Sequence, residues 1–353
     1  MEHQKVLNEI VEVISRENGS DIHLSEERDP TIRVNGELVP LTNFGKLTRE
    51  DTIAFMNLLI SEPKRVDFDE NMEVDFSYQH SENARFRGNA FVQRGNIGIV
   101  LRLIPKSIKT LQELNIPTVL ENIARLNQGF FLIVGPVGQG KTTTLAALIE
   151  MINQERAEHI ITIENPIEYI YDQKKSIVDQ REIGIDTPSF HKALIGTLRQ
   201  DVDVILVGEM RDHNTMAAAI TAAETGHLVL STLHTNNASQ TIDRIIDSFP
   251  AGQQDQIRIQ LASSLSGIFS QRLLPRISGG MIPAFELLIN NNAVSNLIRE
   301  SRTHEIDTVI ETGSESGMID MNRSLADLVR KGEITYDTAK KFSLNPQLLE
   351  RLI

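Results

Sequence analysis

An α/β fold built on a parallel sheet is the class this sequence predicts, and three observations predict it. Short continuous apolar runs recur after residue 118, at Phe130–Val134, Ile160–Ile163, Val204–Val207 and Leu228–Leu233. Runs without alternation mark strands buried on both faces, as in a parallel sheet covered by helices. The first run is followed by Leu145, Leu148, Ile149 and Ile152 at helical spacing. Between that strand and that helix, Gly135 to Thr142 read Gly-Pro-Val-Gly-Gln-Gly-Lys-Thr, the G-x-x-x-x-G-K-[ST] pattern of a phosphate-binding loop.

The elements ahead of the sheet are shorter and mixed. Val6, Ile10, Val11, Val13 and Ile14 predict an opening amphipathic helix. Thr31 to Val39 predict a hairpin around Asn35-Gly36, a pair suited to a type I′ turn. Ala84 to Ile104 alternate like paired strands, with Gly95 near the turn. These place a first domain at residues 1–104. Pro105 and Pro117 bracket an expected linker, 105–117, because proline disfavours regular structure at and before it. The sheet-bearing domain then takes 118–353, and from about 250 it reads as mostly helical, with helices expected at Gln253–Leu265 and Asp320–Lys331.

Composition narrows the function classes. A chain of 353 residues, 40% of them hydrophobic, suffices for more than one core. The net charge of −13 argues against sequence-independent nucleic-acid binding, which needs a basic surface. With no cysteine, disulfides, thiol catalysis and cysteine-ligated zinc are excluded. No basic-then-apolar leader opens the chain, and its apolar runs are far shorter than the roughly 20 residues of a membrane helix. A membrane role is therefore expected to go through partners.

The loop gives the chemistry its centre. Gly135, Pro136, Val137, Gly138, Gln139 and Gly140 form the cradle, and Lys141, Thr142 and Thr143 open the helix. Backbone N–H groups there point at an anion. Lys141 is expected to reach the β/γ-phosphates, and Thr142 to ligate Mg²⁺. Two apolar strands each deliver an acid at their carboxyl end, where ligands sit in open α/β sheets: Glu164 after Ile163, and Glu209 after Val207-Gly208. Either glutamate alone is ordinarily a solvated acid, but together they suit Mg²⁺ positioning and water activation.

His227 and His234 bracket the run Leu228–Leu233. In a parallel strand His234 shares the edge of the glutamates and can sense the γ-phosphate, whereas His227 lies at the far end. Arg85, Arg94 and Arg102 fall on the strands before the linker, as does Arg87. The ordinary reading of each is a solvated sheet face, and the functional one is an arginine finger. Arg211 is expected to pair with a nearby acid such as Asp212 or Asp243.

The four segments Gly135–Thr142, Thr162–Tyr169, Gly208–Asp212 and His227–His234 together resemble the secretion ATPase superfamily, as its Walker A, Asp box, Walker B and His box. Gly19–Leu24 and Thr235–Asp247 resemble it too, and Ala293–Glu300 is similar to the AIRNLIRE motif of type IV pilus retraction ATPases of the PilT-like branch. The resemblance covers essentially the whole chain. Pilus-assembly members usually carry an extra N-terminal domain and a four-cysteine metal site, so a short chain without cysteine favours retraction.

The resemblance implies a PAS-like α+β domain followed by a RecA-like P-loop NTPase domain with a helical C-terminal subdomain. It implies a homo-hexameric ring that hydrolyses ATP with Mg²⁺. The ring acts on an inner-membrane platform protein and removes pilin subunits, in twitching motility and DNA uptake. Such a protein is cytoplasmic, peripheral at the inner face of the cytoplasmic membrane. By motif, Glu164 matches the water-activating glutamate, Glu209 the Walker B acid near Mg²⁺, and His234 and His227 the His box. Arg85, Arg94 and Arg102 become nucleotide-contacting candidates. The sequence departs from the family pattern at Asn165, where aspartate is usual, so turnover is expected to be weakened. Val137 and Gln139 stand where threonine and serine are common, and little effect is expected of them. Ser295 replaces an arginine of the last motif.

Overall fold

The computed structural model describes residues 2–81, 84–104 and 107–353. Contacts divide the chain into two units. One contains Met1–Ser107 with two later segments, Glu164–Ile170 and Arg181–Ser189; the other contains Ile108–Ile163, Tyr171–Gln180 and Phe190–Ile353. The two later segments are an addition that a division along the sequence does not contain. Of the expected linker, Pro105 and Lys106 lie outside the described residues.

The first unit opens with helix α1 (His3–Arg16), strands β1 (Asp21–Ser25), β2 (Thr31–Val34) and β3 (Glu37–Pro40), and helices α2 (Arg49–Leu59) and α3 (Glu62–Asn71). Strands β4 (Glu73–Ser81), β5 (Ala84–Gln93) and β6 (Asn96–Ile104) follow. The sheet order is β3-β2-β1-β6-β5-β4. Asn35 and Gly36 have φ of 49° and 88°, as a type I′ hairpin requires. Arg94 and Gly95 repeat that geometry between β5 and β6, at 51° and 80°. Helix α2 starts with a reciprocal capping box between Thr48 and Asp51. Leu7, Ile10 and Ile14 of α1 and Phe55 of α2 pack with Ile22, Phe76, Phe86 and Leu101 of the sheet as the unit's core.

The second unit contains α4 (Val119–Ala124), β7 (Gly129–Val134), α5 (Lys141–Glu155), β8 (His159–Glu164) and β9 (Ile177–Glu182) except for their ends at Glu164 and Arg181-Glu182, and α6 (Phe190–Thr197), β10 (Val204–Val207), α7 (His213–Glu224) and β11 (Leu228–Leu233). Next come α8 (Ala238–Asp247), α9 (Ala251–Ser264), β12 (Leu265–Pro275) and β13 (Met281–Ile289). The sheet order is β13-β12-β7-β11-β10-β8-β9. Strands β12, β7, β11, β10 and β8 run parallel. Every residue of β7, β10 and β11 is buried, and α5 and α7 both pack on β7 and β11. The continuous apolar runs are thus double-sided core strands.

Beyond residue 250 the chain is helical from Asn292 onward, through α10 (Asn292–Arg299), α11 (Ile306–Thr312), α12 (Met321–Arg330), α13 (Tyr336–Phe342) and α14 (Pro346–Leu352). Before that, β12 and β13 are long strands where helix was expected. Ser270, Gln271 and Arg272 break the apolar pattern of β12, because the hydrogen bonds of these side chains run to the loops beside the strand rather than into an apolar core. Leu274, Ile282, Ala284, Leu325 and Leu349 make a separate C-terminal core. Among the described residues no helix is long and apolar enough to cross a membrane.

Candidate nucleotide site

Four parallel strands end at one edge of the second sheet. The register pairs Val134 with Leu233, and Val207 with both Ser231 and Ile163. The segments after these strands therefore gather at that edge: the phosphate loop after β7, Glu209 after β10 and His234 after β11. Glu164 is the last residue of β8.

The loop is shaped by three glycines with positive φ: Gly135 at 148°, Gly138 at 77° and Gly140 at 80°. Gly140 caps α5 in the left-handed conformation, with no side-chain cap and no acid in the first turn. The N-terminal N–H groups of α5 are thus left to a ligand. A Cβ on Gly138 would meet nothing within 4 Å among the described residues, and Val137 beside it is 81% exposed. Thr142 is exposed, and Thr143 half-buried.

Lys141 is buried, and its ammonium donates to Gly135 O at 2.7 Å and Pro136 O at 2.9 Å. Its Nζ also lies 3.2 Å from His234 Nδ1. Burial and the nearby Arg272 charge bring Lys141 down to about 8, against the pull of Glu209. Burial also lowers His234, and the Lys141 charge adds to it. A neutral imidazole accepting from Lys141 at Nδ1 carries its proton on Nε2. That nitrogen faces Glu209 Oε2 at 3.9 Å, beyond hydrogen-bond reach. Lys141 and His234 are therefore bonded to each other, with the Glu209 carboxylate beside them.

The turn that carries Glu209 is pinned from β11. Ser231 Oγ donates to Val207 O at 2.7 Å, and Thr232 Oγ1 donates to Gly208 O at 2.6 Å. Arg211 pairs with Glu209 itself, Nη2 to Oε1 at 2.7 Å, rather than with Asp212 or Asp243. Asp212 instead caps α7 through Thr215, and Asp243 accepts from Thr303 Oγ1. Both acids are thereby committed to local structure.

His227 is not brought to this edge. It lies at the amino end of β11, where its Nδ1 donates to Ala222 O at 2.8 Å and its carbonyl accepts from Gly129 N. Its setting in the chain is that of a structural residue closing the α7–β11 turn.

Arg85, Arg94 and Arg102 lie in the first unit. Arg85 donates through Nε and Nη2 to Ile167 O at 3.2 and 3.1 Å, and its Nη2 lies 3.7 Å from Glu182 Oε2. Glu182, 2% exposed, also accepts from Ser77 Oγ and Ile167 N. Arg87 pairs with Glu168 at 3.0 Å. Arg102 pairs with Asp21 at 2.9 Å, and Arg94 sits exposed in the β5–β6 turn. Asn165 precedes Pro166 across a cis peptide bond. Its Oδ1 is buried and finds no hydrogen-bond partner among the described residues.

Sequence reasoning missed two residues beside the loop. Gln271, 2% exposed, donates to Gln139 O at 2.8 Å and accepts from Thr144 Oγ1 at 2.8 Å. Arg272 donates to Asn236 O at 2.9 Å and to Asn236 Oδ1 at 3.0 Å, which ties β12 to the segment after His234. The available signal was a buried-type strand, Leu265–Pro275, interrupted by consecutive polar residues.

Comparison with known proteins places this geometry in a family. The sequence profile described as "Type II/IV secretion system protein" matches residues 2–316. The type IV pilus retraction ATPase PilT of Pseudomonas aeruginosa is 41% identical over 341 residues, covering 97% of this chain and 99% of that one. The type IV pilus ATPase PilU of the same organism is 42% identical over 343 residues, covering 96% and 88%. A crystal structure of the pilus retraction motor PilT with bound ADP superposes with a TM-score of 0.89 at 46% identity, covering 97% of this chain and 98% of that chain. With its phosphate loop, strand-end acids and end-to-end similarity, the chain belongs to the type II/IV secretion system protein family, as a PilT-like ATPase.

Proposed function

We propose that the chain is a motor ATPase that assembles as a homo-hexameric ring and hydrolyses ATP to drive type IV pilus retraction. The observation that carries the nucleotide chemistry is the phosphate loop with the buried Lys141 at the uncapped start of α5, with Glu209 gathered at the same carboxyl edge of the sheet. The end-to-end similarity to a retraction ATPase supports the pilus assignment. A heterologous interface that closes on itself gives a ring.

The residues fit a nucleoside triphosphate with Mg²⁺. The uncapped start of α5 and the open crest at Gly138 suit an anion. Lys141 supplies the positive charge, and Thr142 and Glu209 would hold the ion. When bound, Mg²⁺ neutralises phosphate charge. His234 accepts from Lys141 and keeps that ammonium in place, and Glu164, by its match to the family motif, would be the base for the attacking water. The ring works at the inner face of the cytoplasmic membrane against a platform protein, without nucleic acid as a direct ligand.

The similarity to PilU favours one second reading, an accessory ring in the same machine. Lys141→Ala is expected to abolish ATP turnover, and unchanged turnover would sink the ATPase reading. Capture of the platform protein by the purified chain, with and without nucleotide, tests the partner. Loss of retraction on deletion separates a retraction motor from an accessory ring.

A further inference from the structure

Gln139 lies in the phosphate cradle where serine is common, and its side chain is engaged. Its Oε1 accepts from the backbone N–H of Leu273 at 2.7 Å. That N–H needs a partner for a definite reason. Strand β12 pairs with β7 only as far as Ser270 opposite Val134, and then runs on alone along that edge. On the other edge Leu273 lies opposite Pro283 of β13, which has no N–H. Such a pair is of the non-hydrogen-bonded kind, so the Leu273 N–H points away from β13 and toward the missing continuation of β7. The chain of β7 has turned there into the phosphate loop, and Gln139 fills the vacated place.

Two further hydrogen bonds and two glycine approaches show that loop and strand are fitted to each other. Gln271 Nε2 donates to Gln139 O at 2.8 Å, and Gln271 Oε1 accepts from Thr144 Oγ1 at 2.8 Å. One buried side chain thus joins the loop to the first turn of α5. A Cβ on Gly140 would stand 2.9 Å from Gln271 Nε2, and one on Gly135 would stand 2.5 Å from Gln271 O. Those two glycines therefore admit β12 to the loop, while the crest at Gly138 is open.

We infer that Gln139 is a positioning residue, which clamps the phosphate loop to β12 and holds it in the conformation that receives a nucleoside polyphosphate. The inference rests on the ATPase reading of this loop and names what presets it. A loop already ordered loses less conformational entropy on binding than a free one. Removing the acceptor loosens the loop before binding. The loss appears in nucleotide affinity more than in the step at saturation.

The full chain is to be compared as native, Gln139→Met and Gln139→Glu. Methionine keeps the length without the acceptor, and glutamate keeps the acceptor. Kd for a fluorescent ADP analogue, KM and kcat for ATP, and amide hydrogen exchange at Leu273 are the measurements. In Gln139→Met, Kd and KM should rise about fivefold while kcat falls by less than about twofold. Leu273 should exchange slowly in the native chain and in Gln139→Glu, and faster in Gln139→Met.

A Gln139→Met Kd within about 1.5-fold of native would overturn the inference. So would equal Leu273 protection in native and Gln139→Met. Should Gln139→Met fail to fold, the native chain alone decides. Protection of Leu273 matching that of Leu274 supports the clamp, and exchange as fast as in the β12–β13 turn defeats it. A native chain that turns over no ATP would defeat the ATPase reading instead, and the exchange comparison would still judge the clamp.

Discussion

Lys141 Nζ stands 3.2 Å from His234 Nδ1, and both groups are held toward their neutral forms by burial. Two bases in contact cannot both be charged without mutual repulsion. The ammonium must be charged to attract phosphate, and the imidazole must stay neutral to accept from it.

Nucleotide affinity should therefore depend on pH. Lys141 loses its proton near 8, so ADP affinity measured by titration calorimetry should fall as pH rises from 7 to 9. The stability effect has the opposite sign. The unfolded lysine keeps its proton to about 10.4, so the unfolded chain binds more protons between 8 and that value. Stability should rise with pH through that window, and Lys141→Met should remove the rise.

The glycines of the loop should differ in tolerance. Alanine at Gly135 meets the backbone oxygen of Gln271 at 2.5 Å and must also adopt a φ of 148°. A loss of about 3 kcal/mol is expected in denaturant unfolding. Alanine at Gly138 meets nothing and carries only the strain of its φ of 77°, about 1 kcal/mol.

Arg85 separates a structural arginine from a finger. Its partner Glu182 is almost fully buried, and Glu182 Oε1 has no hydrogen-bond partner among the described residues. Arg85→Ala should destabilise the chain by about 3 kcal/mol, because it strands a buried carboxylate. Arg102→Ala should cost less, about 1–2 kcal/mol, because the buried Asp21 keeps the Ser20 hydroxyl as a donor. Lost turnover with unchanged stability in Arg85→Ala would instead restore the finger role.

Glu209→Gln should lower kcat by about a hundredfold while ADP still binds. It removes the carboxylate that Arg211 and His234 face. A steady-state rate near the native one would exclude Glu209 from the reaction. Asn165→Asp should raise the rate, since it returns a charge that the family pattern carries.

Much of this site was legible because its chemistry is local. A strand, a glycine-rich turn and a lysine at a helix start are adjacent in sequence, so Gly129–Glu155 could be read directly. Glu209 and His234 followed from strand ends, because a parallel sheet aligns those ends. The contributions of β12 were hidden. Gln271 and Leu273 reach Gln139 across more than a hundred residues, and no periodicity announces such a contact. A boundary drawn along the chain cannot show that Glu164–Ile170 and Arg181–Ser189 group with the first unit, because Ser77 and Arg85, far away in sequence, hold them.

The hydroxyls of Ser231 and Thr232 have a mechanical consequence. They fasten the carbonyls of Val207 and Gly208, so the peptide leading into Glu209 is tied sideways as well as along the chain. A machine that pulls a filament meets recoil at every stroke. Compliance just before the acid would let that recoil shift the Glu209 carboxylate away from the edge where the phosphate loop lies. Two buried hydroxyl groups at the end of one strand take up that slack.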